Sequence, residues 1–277
     1  MEQLRRGDLV FDVLDRGPAD GPVVVLLHGH PQTNAAWDEI IPRLIVRGYR
    51  CLAPNQRGYS PGARPGRRRE YRISELVDDV GALIDASGAG KVHVVGHDWG
   101  ALVAWAVAAQ RPDQVRTLSA LSGPHPTALQ RAMLTGRQGL ASWYAYAYLL
   151  PRLPERFYLG KNGKGARLSR MLQSGGQRAE LAERDVRAMA EPGAYTAALN
   201  WYRAAPLSGR IGRVGVPTMF VWSDRDKYIL ESAARRSERY VTGHYRFEVL
   251  RGASHWMPDE QSDAVAELLL DWFALHP

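Results

Sequence analysis

Residues 91–110 read Lys91-Val92-His93-Val94-Val95-Gly96-His97-Asp98-Trp99-Gly100-Ala101-Leu102-Val103-Ala104-Trp105-Ala106-Val107-Ala108-Ala109-Gln110. Val92–Val95 has the apolar run of a buried strand, and Ala101–Gln110 reads as a helix. Between them Gly96-His97-Asp98-Trp99-Gly100 fits a nucleophile elbow, a strand, a tight turn and a helix with the reactive side chain at the tip. The two glycines let strand and helix backbones approach closely around that turn. Asp98 stands at the tip, where serine is more usual. A carboxylate (unperturbed pKa about 3.9) is ionised at neutral pH and can attack without first losing a proton to a base.

The same alternation extends outward. Leu9–Leu14, Val23–Leu27, Arg50–Ala53, Val115–Leu121, Thr218–Trp222 and Tyr245–Leu250 are further strand candidates. Ala35–Arg47, Ile73–Ala86, Leu230–Tyr240 and Gln261–Ala274 are the helices between them. This pattern predicts an α/β fold, a mostly parallel sheet with helices on both faces. It breaks between 123 and 206, a stretch with helical character and many aromatics. We therefore expect a core domain of residues 1–122 and 207–277 and an inserted helical cap of residues 123–206. Within the cap, Gly160-Lys161-Asn162-Gly163-Lys164-Gly165 suggests a mobile loop.

Composition narrows the function classes. The chain has 277 residues, 45% of them hydrophobic, enough for a sizeable core. Its single cysteine, Cys51, rules out a disulfide framework and a cysteine-rich metal site. Met1–Gly17 lacks the apolar core of a secretory signal, and no apolar run approaches the roughly 20 residues of a membrane span, so a cytoplasmic, non-membrane protein is expected. The formal charge is +7, with Arg64, Arg67, Arg68, Arg69 and Arg72 close together. No nucleic-acid motif accompanies them, and the run reads as a solvated loop.

An elbow needs a base and a carboxylate to orient it, in the chain order nucleophile, acid, histidine. Ser223-Asp224-Arg225-Asp226 follows one strand and Gly252-Ala253-Ser254-His255-Trp256 follows another. His255 is the expected general base and Asp226 its orienting acid, with Asp224 as the alternative. The oxyanion hole is expected from the backbone N–H groups of His30, in His28-Gly29-His30-Pro31, and of Trp99. The serine match Gly58-Tyr59-Ser60-Pro61-Gly62 lies in a loop without an elbow context. The scattered His28, His30, His93 and His97 do not read as a metal site.

Together, His28-Gly29-His30-Pro31, Gln56-Arg57-Gly58-Tyr59, Gly96-His97-Asp98-Trp99-Gly100, Pro124-His125-Pro126, Asp226 and His255 resemble the α/β-hydrolase superfamily, and within it the epoxide hydrolases that use an aspartate nucleophile. The resemblance implies an eight-stranded sheet and two cap tyrosines that hydrogen-bond the epoxide oxygen. One is Tyr202 of Asn200-Trp201-Tyr202-Arg203; the other is Tyr144, with Tyr146 and Tyr148 as neighbours of similar type. Trp37, His125 and Trp256 are expected in the substrate pocket. The chain departs from the family at His30, where Phe or Trp is usual, and at Asn55, where aspartate is common.

What the resemblance implies is an apolar epoxide opened by Asp98 to an ester, and hydrolysis of that ester by His255-activated water to a vicinal diol. It implies no metal, no cofactor, no nucleic-acid partner, and a monomer or homodimer. A haloalkane or haloacid dehalogenase would use the same triad. A hydrolase fold that binds ligand without catalysis is the non-enzyme alternative.

Overall fold

In the computed structural model, which describes residues 1–160 and 163–277, eight strands form one sheet in the order β1-β2-β4-β3-β5-β6-β7-β8. They are β1 Gln3–Arg6, β2 Leu9–Arg16, β3 Val23–Leu27, β4 Arg50–Pro54, β5 Val92–His97, β6 Val115–Leu121, β7 Thr218–Ser223 and β8 Tyr245–Leu250. β2 runs antiparallel to β1 and β4, and every other pairing is parallel. All five side chains of β3 are buried. A strand covered on both faces has no polar side, so it reads as an unbroken apolar run rather than an alternating one.

Alternate β3 residues feed two cores. Val25 and Leu27 pack on the face that carries α2 (Ile73–Ser87) and α3 (Trp99–Gln110). Val24 and Leu26 pack on the opposite face with α1 (Ile41–Val46) and, further along the chain, Trp272 and Phe273 of the C-terminal helix. The strand order also reverses at β3, which pairs with β4 on one side and β5 on the other. The carboxyl ends of β3 and β5 therefore flank the switch point, where open α/β sheets bind ligands.

Between β6 and β7 the described residues form helices only: α4 Pro126–Thr135, α5 Gln138–Ala141, α6 Trp143–Tyr148, α7 Leu153–Leu159, α8 Ala166–Ser174, α9 Ala179–Ala190 and α10 Ala194–Ala204. Of the glycine- and lysine-rich loop expected to be mobile, Lys161 and Asn162 lie outside the described residues. After β7 come α11 (Glu231–Arg236), α12 (Met257–Glu260) and α13 (Ser262–Ala274). Among the described residues no helix is long and apolar enough to cross a membrane.

Three local expectations need correction. β1 was not expected: its sequence, Gln-Leu-Arg-Arg, buries only Leu4, as a short charged edge strand does. Ala35–Arg47 is not one helix but a 3-10 turn over Asn34–Trp37 followed by α1. Pro42 lacks an N–H and fits only a helix's first turn, so the helix restarts there. Leu230–Tyr240 likewise divides into α11 and a 3-10 turn over Ser237–Tyr240.

Candidate active site

Asp98 caps α3 with φ 52° and ψ −118°, a conformation L-residues rarely adopt. Crowding enforces it. A Cβ on Gly96 would lie 2.3 Å from the Gly100 carbonyl oxygen, and one on Gly100 would lie 2.1 Å from the Leu27 carbonyl oxygen. Glycine at both positions lets β5, α3 and β3 meet, and the meeting drives Asp98 outward. Strain of this type costs about 1–3 kcal/mol and is held by the surrounding core.

The Asp98 carboxylate is 16% exposed and its two oxygens face different groups. Oδ1 accepts a hydrogen bond from the His30 backbone N–H at 2.8 Å. Oδ2 lies 3.5 Å from His255 Nε2. Among the described residues no hydrogen bond runs from the Trp99 N–H to this carboxylate, although that N–H opens the first turn of α3. The His30–Pro31 peptide is cis.

His255 follows β8, and its Nδ1 lies 2.8 Å from Asp226 Oδ2. Asp226 follows β7; its side chain is fully buried, and its Oδ1 accepts from the backbone N–H groups of Tyr228 (2.8 Å) and Ile229 (3.0 Å). Asp224, the alternative acid, is exposed and accepts instead from the Gly252 N–H at 2.7 Å. Burial disfavours the charged imidazolium, but Asp226 and Asp98 outweigh it and lift His255 to about 10. Burial also opposes ionisation of Asp98, yet His255 and the His30 N–H hold its pKa below the usual carboxylate value.

A cavity of about 410 Å³ opens over Asp98, with Trp99, Leu102, Tyr144, Met133 and Tyr202 among its lining. Tyr202 packs edge-on against Trp99 at 4.9 Å, and its ring centre is 6.5 Å from that of Tyr144. Burial first, and then nearby groups including Asp98, push both phenols well above 10, so both stay protonated. Tyr146 also lines the cavity but is 52% exposed. Tyr148 is buried behind the lining, edge-on to Tyr202 at 4.9 Å and to Tyr144 at 5.6 Å, with its hydroxyl directed to Met171 Sδ at 3.5 Å.

The structure does not bring the other expected pocket residues to this cavity. Trp37 is fully buried in the core on the α1 face of the sheet. His125 is the N-cap of α4: its Nδ1 accepts from the Thr127 N–H, its Nε2 donates to the Gly212 carbonyl at 2.9 Å, and its ring stacks on Tyr240. Trp256 packs perpendicular to His255 at 5.1 Å and backs that ring rather than the cavity. All three combine large rings with burial, which sequence alone does not separate from a pocket wall.

Other motif residues act as braces. Arg57 grips Asp79 through two hydrogen bonds of 2.7 Å, and its carbonyl accepts from the Trp201 indole at 2.8 Å. Asn55, the departure noted above, accepts from the Asn34 N–H through Oδ1 at 2.9 Å. Ser60 Oγ donates to the Asn55 carbonyl, and the serine is fully buried.

A buried polar chain was missed in the sequence. His97 Nε2 lies 2.8 Å from the His255 carbonyl oxygen and its Nδ1 lies 3.1 Å from Gln32 Oε1. Gln32 Nε2 donates to Asp259 Oδ2 at 2.7 Å, and Asp259 pairs with Arg184 of α9 at 3.0 Å. Arg184 also pairs with Asp185 at 2.8 Å. The chain ties the helical insertion to the loop that carries His255. Its members are far apart in sequence, so spacing carries no signal of it.

A family model described as alpha/beta hydrolase fold matches residues 22–262. The chain is 35% identical to the AB hydrolase superfamily protein YfhM of Bacillus subtilis (strain 168), over 95% of this chain and 94% of that one. It is 30% identical to epoxide hydrolase A of Mycobacterium tuberculosis (strain ATCC 25618 / H37Rv), over 94% and 92%. The solved structure of epoxide hydrolase A from Mycobacterium thermoresistibile superposes with a TM-score of 0.82 at 25% identity, over 98% of this chain and 96% of that one.

Proposed function

The chain belongs to the alpha/beta hydrolase fold family, and from that premise we propose that it is an epoxide hydrolase that converts an apolar epoxide to a vicinal diol through an Asp98 ester. The observation that carries the reading is that Asp98, Tyr144 and Tyr202 line one largely apolar cavity. A carboxylate suits attack on saturated carbon, and two protonated phenols suit an oxygen that becomes an alkoxide. Residues 123–206 serve as the cap that supplies the phenols.

The reaction runs in two steps. Tyr144 and Tyr202 hydrogen-bond the epoxide oxygen. Asp98 Oδ2 attacks a ring carbon, the carbon–oxygen bond breaks, and the alkoxide takes a proton through a tyrosine. His255 replaces that proton, so the ester stage holds a neutral base. The charge change favours this transfer, since esterification removes the Asp98 charge that helped to lift the His255 pKa.

Neutral His255, oriented by Asp226, then takes a proton from water, and the hydroxide attacks the ester carbonyl. The oxyanion forms on Oδ1, which already faces the His30 N–H. The Trp99 N–H is the second donor. Such donors are worth about 2.7–4 kcal/mol each. Collapse breaks the bond to the diol oxygen, which takes the second proton of the attacking water from the new Asp98 carboxyl, and restores ionised Asp98 beside protonated His255. No metal or organic cofactor enters the cycle.

The reading is tested with styrene oxide and related epoxides in heavy-oxygen water. Diol formation, with label reaching Asp98 as well as product over repeated turnovers, is expected. Absence of diol across the panel, together with halide release from haloalkanes, would replace it with a dehalogenase.

A further inference from the structure

We propose that a second cavity, beside the first, is a binding site for a small ligand with a compact phosphoryl polyanion, such as a diphosphate. This cavity of about 430 Å³ lies where α4, the segment leading to β7 and the end of α11 meet. Five arginines line it: Arg131 from α4, Arg210 and Arg213 from the segment before β7, Arg236 at the end of α11, and Arg239 in the 3-10 turn that follows.

The pairing of these arginines is unlike that of their neighbours. Arg235 pairs with Glu231 at 2.7 Å and Arg246 with Glu248 at 2.6 Å. Elsewhere Arg57, Arg184 and Arg203 meet carboxylates in the interior. Among the described residues, none of the five cavity arginines forms an ion pair or a side-chain hydrogen bond; Arg131 lies over the Tyr240 ring at 6.0 Å. Two of the lining residues, Arg236 and Tyr240, also hold a buried polar atom without a partner, Nε and the hydroxyl. Buried donors are ordinarily satisfied. Five cations without counter-ions around a concavity are the complement of an anion rich in acceptor oxygens.

Chemistry and shape select the anion. Guanidinium forks bind phosphoryl oxygens in pairs, and several of them neutralise more than one negative charge. A nucleic-acid backbone is met by basic stripes on open faces or along a helix. Here the arginines converge on a cavity with room for a diphosphate group but not for a duplex.

The site adjoins the first cavity. Thr127 and Ile211 line both, and Thr127 Oγ1 donates to the Ile211 carbonyl at 3.0 Å. Occupancy of the arginine site therefore bears on the wall of the Asp98 cavity. The inference does not rest on epoxide hydrolysis, because its primary readout is binding.

The test is calorimetric titration of the full chain with inorganic pyrophosphate at constant ionic strength set by chloride. One saturable site is expected in the wild type and in Asp98→Asn. Affinity should fall at least tenfold in Arg213→Gln/Arg239→Gln, which changes two exposed side chains and spares the fold, and again in Arg236→Gln. A parallel titration with ADP separates a free diphosphate from the diphosphate end of a nucleotide; tighter binding of either supports the site and names its source. Equal affinity in wild type and the double variant overturns the proposal. So does heat that never saturates, or tighter binding of a DNA duplex than of pyrophosphate.

Discussion

The backbone N–H of His30 donates to Oδ1 of Asp98 across 2.8 Å, which in the proposed cycle docks the carboxylate where the oxyanion is to form. The carboxylate is not free to rotate. Oδ2 faces His255, and in the proposed cycle Oδ1 is the oxygen that stays as the ester carbonyl.

Gly29→Ala should therefore damage catalysis more than folding. Its Cβ would lie 2.5 Å from Asp98 Cβ and 2.8 Å from Oδ1. Misplacement by about 1 Å costs on the order of 10²-fold in rate. We expect that loss in kcat with a cooperative melt retained. Gly100→Ala, whose Cβ would collide with the Leu27 backbone, should fail to fold, as soluble yield and circular dichroism would reveal.

The two steps of the proposed cycle separate by mutation. Asp98→Asn should form no covalent adduct with an epoxide in intact-protein mass spectrometry. His255→Gln should accumulate the adduct and turn over at least about 10⁴-fold more slowly. Adduct in fresh Asp98→Asn, before any deamidation, would remove Asp98 from the role of nucleophile.

The cavity tyrosines can be ranked in the same assay. Tyr144→Phe and Tyr202→Phe should each lower kcat by about 10²-fold, the lower end of the range for a positioned acid. Tyr146→Phe should leave kcat unchanged, since that ring is half exposed and its neighbour Tyr144 has the electrostatic coupling to Asp98. Equal losses at 144 and 146 would contradict the assignment.

Stability should peak near pH 6.5. Burial lowers His28, His30, His97 and His125 to about 4 and His93 to about 3. Between those values and 6.5 the unfolded chain binds more protons, so stability falls as the pH drops through that window. Asp185, raised to about 6 by burial, and Asp79 and Asp259, raised for the same reason, offset part of this fall. His255 has the opposite sign. Lifted to about 10, it contributes stability that is complete below 6.5 and is lost as the pH rises through 10. Melts from pH 4.5 to 10 should show both limbs, and His255→Gln should flatten the alkaline one.

Arg184→Gln should loosen the helical insertion. It would leave the Asp185 side chain, fully buried, and the Asp259 side chain, 4% exposed, without their cation. Removing one partner of a buried pair costs about 3–5 kcal/mol. Chemical denaturation should record that loss, and the further change Asp185→Asn should recover part of it.

The elbow was legible in sequence because its constraint is local. Gly96, Asp98 and Gly100 belong to one turn, and the run of Val92–Val95 announces the strand before it. The placement of Asp226 and His255 near Asp98 was legible because each lies in the loop after a strand, and parallel strands deliver those loops to the same edge of the sheet. β1 was not recognised, because a four-residue edge strand that buries one leucine leaves almost no hydrophobic pattern. Trp37, His125 and Trp256 were placed in the pocket on residue type, and the structure uses them as core, helix cap and support for the base.

By itself the sequence determined seven of the eight strands, the strained turn, and the carboxylate at its tip, since periodicity and glycine placement are written along the chain. Only the tertiary structure decided that Tyr144, Tyr146 and Tyr202 but not Tyr148 line a cavity with Asp98, how His97 and Gln32 tie His255 to Arg184, and where unpaired arginines converge. Those relations join residues tens to hundreds of positions apart, and packing in three dimensions brings them together.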